Sequence, residues 1–461
     1  MSNYNLFSPT DYRYKVIELE SFLTEEAFIK YKTIVEIALI KTLARQGVCS
    51  EKVAREVEGI LDKVKAVDVY DEEKRIKHDI RAQVNVMKRF LSDEAKPFVH
   101  LTATSNDVVE TARALMLKDA VSKVILPDLI ELEKSLIRLA RGEAKTIQIG
   151  RTHGQHAQPI TFGFTIAEYV ERLGERILKI KEASENLVGK FSGAVGAYNA
   201  SSILIKDPEE FERQFLQELG LKQARISTQI VPAEPLTDFN HSIISCFSVL
   251  ANLADDMRHL QRTEIGEVGE PFEKEQVGSS TMPQKRNPIN FENVKSAWKT
   301  FMPRMITVYL DQISEHQRDL TNSLSQRFIP ELLVVFDSSV KRIGKLMSRL
   351  TVDKKNMEKN FNLSSDKLIA EPLQILLSFH GFTEGHEKVR QLAMESYKTG
   401  KPLIKLVFAD QELKPFIEKF SLEQKELISS PEKCVGIASK KTLSVCDYWE
   451  KQLSSLEKTI S

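Results

Sequence analysis

The residues best suited to chemistry in this sequence fall in three short irregular stretches. The first, GSSTMPQKRNPINFEN from Gly278 to Asn293, combines paired serines, two prolines and a Lys-Arg-Asn cluster. Pro283 and Pro288 forbid a continuous helix there, and Gly278, Ser279 and Ser280 tolerate several backbone conformations, so the stretch is a loop. A solvated linker and a binding loop or lid fit it equally well. The second, GRTHGQHAQP from Gly150 to Pro159, places His153 and His156 just ahead of an apolar helical seam. Histidine suits proton transfer near neutral pH. A structural histidine at a helix start is the commoner case, and His156 is assigned to it. Two histidines at i,i+3 without a third ligand are a weak metal signal, and no metal is expected. In the third, HLTATSNDVVET from His100 to Thr111, Thr104, Ser105 and Asn106 precede a helical run, with Asp107 and Glu110 read as a capping box. It is either an ordinary helix start or a carboxylate site built from N–H groups and hydroxyls.

The elements that must position these stretches are helices. Glycine and proline are scarce, at 19 and 16 in 461 residues, which favours long uninterrupted segments. Three apolar seams repeat at spacings of four and three: Ile125, Leu129, Leu132, Leu136 and Leu139; Ile166, Val170, Leu173, Ile177 and Ile180; Ile243, Phe247, Leu250, Ala254 and Met257. That spacing predicts nearly antiparallel helices packed at small angles. No comparable strand alternation is found. The expected fold is all-α, with an N-terminal helical region 1–98, a central long-helix bundle 99–345 and a C-terminal helical region 346–461.

Composition narrows the partners. Lys+Arg and Asp+Glu both total 65, so net charge gives no reason to expect nucleic acid. No apolar run approaches the roughly 18 residues of a membrane span. The four cysteines show no zinc spacing, and no secretory leader is apparent. A soluble, cytoplasmic protein with reduced thiols is expected.

Taken together and in this order, the three stretches resemble the shared regions of the fumarase/aspartase superfamily, GSSTMPQKRNP being similar to its signature loop. Within it the chain is most similar to the adenylosuccinate lyase family. The similarity rests on SPTDYRY, KHD at Lys77 to Asp79, TSNDVVET, GRTHGQHAQP, TQI at Thr228 to Ile230, and QRDLTNSLSQR at Gln317 to Arg327. It implies a homotetramer whose central bundle crosses subunit boundaries, with active sites shared between subunits and no cofactor. It also implies β-elimination from adenylosuccinate to AMP and fumarate, and the same reaction on the succinylated imidazole-carboxamide ribotide of purine synthesis.

By the same resemblance, Ser280 is the general base and His153 the general acid, with Glu292 orienting His153. Lys285 and Asn287 hold the carboxylate that gains charge. Thr104 and Ser105 bind the succinyl carboxylates, Gln229 is a further substrate contact, and His78 and Asp79 lie near the nucleotide. Arg13, Tyr14, Arg318, Ser323 and Arg327 match phosphate-holding positions, where arginine forks suit phosphate geometry. These five separate a nucleotide substrate from the alternative of another fumarate-releasing lyase, such as argininosuccinate lyase. A catalytically inactive helical scaffold is the alternative from another class. Two departures stand out: Gln284 replaces the usual histidine or tyrosine, and VPAEPLTDF from Val231 to Phe239 is not the usual continuation after TQI.

Overall fold

The computed structural model describes residues 8–273, 275, 278–318 and 320–460. Its long helices are those expected to carry the seams. Ser105–Ala120, a π-helical turn Val121–Ile125 and Leu126–Gly142 follow one another directly; Phe162–Glu185, Glu234–Leu260, Ile289–Phe301 and Ile329–Met347 pack beside them. The seams supply the core: every residue of the Ile166 and Ile243 seams is fully buried, and Leu139 alone of the Ile125 seam is half-exposed. Local chemistry starts several of these helices. Thr161 accepts the Phe164 N–H at 3.2 Å to cap Phe162–Glu185, and prolines stand in the first turn of Glu234–Leu260 and Ile329–Met347, where a missing N–H costs nothing.

Among the described residues three small two-stranded sheets join the helices, and one carries the GRTHGQHAQP stretch. Ile147–Thr152 and Gln155–Thr161 form an antiparallel hairpin. This element was not expected from the sequence, where GRTHGQHAQP reads as a helix start. Its turn consists of His153 and Gly154, both at positive φ (54° and 74°), as the tight hairpin turn matching strand twist requires. Glycine accepts that conformation freely; His153 is held in it.

Among the described residues two hydrophobic cores result. The larger joins the N-terminal helices to the bundle and also takes in Cys446, Trp449, Leu453 and Leu456, so the last helix, Ala438–Ile460, returns to the bundle. The smaller, from Ile369 to Ile428, belongs to a cluster of short helices. Among the described residues no helix is long and apolar enough to cross a membrane.

Candidate functional site

At the N-terminal end of the Ser105–Ala120 helix the structure gathers several of the residues read from sequence. Thr104 is the N-cap, and its N–H donates to the Asp107 carboxylate at 2.8 Å. The capping box is therefore Thr104 with Asp107, one turn ahead of the Asp107–Glu110 pairing expected. Asp107 is wholly buried; it pairs with Lys190 and accepts the Ser192 and Gly193 N–H groups at 3.2 Å, which fixes the cap from beneath. Asn106 donates to Gln229 at 3.2 Å, and the Gln229 N–H donates to the Gln317 carbonyl at 3.2 Å. The TSND, TQI and QRDL segments thus meet.

The Glu25–Arg45 helix supports this end. Its buried Glu36 accepts from the His100 N–H at 3.0 Å and contacts His100 Nδ1 at 2.6 Å. Burial opposes the charged imidazole, yet the Glu36 carboxylate raises the His100 pKa above its ordinary value. One turn earlier, Lys32 lies in the electrostatic reach of Asp79 and Arg327, so the KHD segment and the last phosphate-side arginine share a neighbourhood. His78 caps the Asp79–Arg89 helix, its Nδ1 accepting the Arg81 N–H at 3.3 Å. Arg318 lines a cavity with Val231, Pro232 and Asp311, so the atypical segment lies beside a candidate phosphate residue. Ser323 and Arg327 are exposed.

His153 lies elsewhere. The hairpin follows the far end of the helical run from Ser105 to Gly142. At about 1.5 Å per residue that run is roughly 55 Å long. A six-residue hairpin arm spans only about 20 Å, too little to return His153 to Thr104 in the same chain. The buried Glu267 holds the hairpin base, taking Gln148 at 2.8 Å, Arg151 at 3.2 Å and Asn360 at 2.9 Å. His153 is exposed at the tip; His156 contacts Ser364 at 2.8 Å.

One carboxylate anchors the C-terminal side of the Gly278–Asn293 stretch. Glu270 accepts the Asn290 and Phe291 N–H groups at 2.9 and 2.8 Å and the Asn290 side chain at 2.8 Å, so it caps the Ile289–Phe301 helix on which Glu292 is exposed. Gln261 receives the Glu270 N–H at 2.9 Å and donates to the Arg286 carbonyl at 3.3 Å. Inside the loop Asn287 donates to the Gly278 carbonyl at 3.0 Å, and a Cβ at Gly278 would collide with the Lys285 carbonyl. Ser280, Gln284 and Lys285 are exposed. Tyr14 receives a hydrogen bond from Asn293 at 3.1 Å, and Arg13 beside it is exposed.

The comparisons bear on the whole chain. The family model described as Lyase matches residues 8–300, and that described as Adenylosuccinate lyase C-terminal matches residues 314–426. The chain is 37% identical to an adenylosuccinate lyase of Pyrococcus abyssi over 96% of its own length and 98% of that protein's. It belongs to the adenylosuccinate lyase family. Another member, from Bacillus subtilis, is 32% identical over 87% of this chain and 92% of its own. In fold the chain is similar to a fumarate lyase from Mesorhizobium sp. BNC1, with a TM-score of 0.82, 21% identity and coverage of 94% and 98%. A 3-carboxy-cis,cis-muconate lactonizing enzyme from Pseudomonas putida gives a TM-score of 0.82 at 22% identity, covering 96% and 99%.

Within this adenylosuccinate lyase family chain, sequence reasoning missed Glu36, Lys190, Glu267 and Glu270. Each is a buried charge whose partner is remote in sequence, so no local pattern marks it. Backbone strain is concentrated in the motifs: of the six described non-glycine residues at positive φ, Lys77, His100, Thr102, His153 and Arg318 lie in them. Such conformations cost on the order of 1–3 kcal/mol each and persist where surrounding contacts enforce them.

Proposed function

We propose that this chain cleaves adenylosuccinate to AMP and fumarate, and acts likewise on the succinylated imidazole-carboxamide ribotide of purine synthesis. Family membership over nearly the full length, including the C-terminal match specific to adenylosuccinate lyases, carries the reading. In the reaction Ser280 takes the proton from the carbon beside a succinyl carboxylate, leaving charge that Lys285 and Asn287 offset. The C–N bond then breaks, its electron pair goes to the purine nitrogen, and His153 supplies the proton there while Glu292 orients it. A serine base needs a nearby cation and exclusion of water, both of which a closing loop carrying Lys285 provides. Fixed cations and donors at the developing charge are the efficient means of stabilising it. Thr104 and Ser105 hold the carboxylates, Gln229 a further part of the substrate, and His78 and Asp79 the nucleotide. Arg13, Tyr14, Arg318, Ser323 and Arg327 hold its phosphate.

The working enzyme is a cytoplasmic homotetramer with shared sites. Its support is the separation of Thr104 from His153 along one helical run, which a neighbouring copy running antiparallel would close. Exposed apolar side chains at Ile306, Leu310, Ile313, Leu320 and Leu324 support a further subunit contact. The test offers adenylosuccinate, argininosuccinate and aspartate separately to the purified protein and follows fumarate by ultraviolet absorbance. Release from adenylosuccinate alone is expected; release from argininosuccinate or aspartate instead, or from none, overturns the reading.

A further inference from the structure

Lys32 is a buried cation without an ion-pair partner among the described residues. Its side chain belongs to the Glu25–Arg45 helix and is only 4% exposed. Among the described residues no carboxylate pairs with it. Asp79, Glu25 and Glu73 act on it only through the field, and Glu25 is already engaged by the Tyr70 hydroxyl. Its ammonium lies over the Phe28 ring, whose centroid is 4.9 Å from Nζ. Burial accordingly holds its pKa below the ordinary lysine value. A buried ammonium ordinarily carries a paired, hydrogen-bonded anion, because the cost of removing it from water is otherwise uncompensated.

The position of Lys32 indicates where that anion comes from. Arg327, one of the candidate phosphate residues, is close enough to repel it, and Asp79 of the KHD segment is close enough to attract it. Glu36, one turn along the same helix, anchors the segment leading to Thr104. Phe28 and Arg327 also line one small cavity with Glu25 and Arg113. Lys32 therefore lies against Phe28, which shares a cavity wall with Arg327, on a helix that contributes none of the motif residues.

We infer that Lys32 is a further substrate-binding residue, whose missing counter-ion is the phosphate monoester of the nucleotide, held jointly with Arg327. The assignment rests on the adenylosuccinate-cleaving reading above. It explains why an unpaired cation is kept in a buried position: the unliganded protein carries its cost, and the bound phosphate offsets it.

The test replaces Lys32 by Met, which keeps length and apolar volume, and by Arg, which keeps charge. For Lys32→Met the KM for adenylosuccinate and the inhibition constant for AMP are expected to rise about tenfold or more, as loss of a charge-assisted contact implies, with kcat within about threefold. Inhibition by fumarate, which has no phosphate, should be unchanged, and Lys32→Arg should recover part of the AMP affinity. The unliganded melting temperature of Lys32→Met should equal or exceed that of the wild type, since an unpaired buried charge has been removed. Unchanged AMP inhibition, weaker fumarate inhibition alone, or a lower melting temperature with kcat and KM both collapsing would each overturn the assignment. A wild-type protein that neither cleaves adenylosuccinate nor binds AMP defeats the functional reading itself, separately from any effect of Lys32.

Discussion

Ser280 and His153 share a property that makes them informative to replace: both are exposed, one on a loop and one at a hairpin tip. Surface substitutions away from caps and strained positions change stability by only about 0.5 kcal/mol. Ser280→Ala is therefore expected to leave the melting temperature unchanged while lowering kcat by several orders of magnitude in the fumarate assay. His153→Ala should also melt near the wild-type temperature, although its positive φ adds a small strain effect, and it should lose at least the hundredfold that a positioned acid contributes. These residues were legible in sequence because their motifs are contiguous and resemble the family's shared regions. Lys32 was not, since an isolated lysine on a helix reads as solvated until burial shows otherwise.

Between residue and molecule, buried carboxylates set how the elements sit. Glu270 fixes the start of the Ile289–Phe301 helix and, through Gln261, holds the Arg286 carbonyl inside the Gly278–Asn293 stretch. Glu270→Ala should cost about 1–2 kcal/mol in stability, the usual value of a lost cap, measured by denaturant unfolding. It should also lower kcat more than it raises KM, because the loop would lose its anchorage. A second carboxylate, Asp337 on the Ile329–Met347 helix, is buried beside the Asp128 carboxyl and within the field of Lys341 and Glu18. Burial first, and then the Asp128 charge, push its pKa up to about 8 from 3.8. A carboxyl whose pKa is raised on folding binds more protons in the native state between those two values. Its contribution is thus full below pH 3.8 and is lost as pH rises through about 8. Asp337→Asn should flatten the decline in stability across that window, read from unfolding curves at several pH values.

The proposed shared sites make assembly a condition of the chemistry. Thr104 and His153 cannot meet within one chain, because a helical run of roughly 55 Å separates them. If different copies complete one site, mixing the inactive Ser280→Ala and His153→Ala proteins under conditions that exchange subunits should restore a measurable fraction of wild-type fumarate release. Either variant alone should stay inactive. Failure of mixed tetramers to regain activity would count against shared sites.

The sequence by itself determined the helical bundle and the three chemical stretches. Four-three apolar spacing has few packing solutions, and loop motifs keep their residues adjacent along the chain. Only the tertiary structure decided that GRTHGQHAQP is a hairpin, since two short strands with a His-Gly turn carry little periodic signal. It alone returned the last helix to the bundle by burying Trp449, which donates to Glu171 at 2.9 Å. It also revealed Glu36, Glu267, Glu270 and Lys32 as buried charges behind the motif segments. Burial and pairing across more than sixty residues of chain, as between Glu36 and His100, are properties of packing, and no local pattern of residues encodes them.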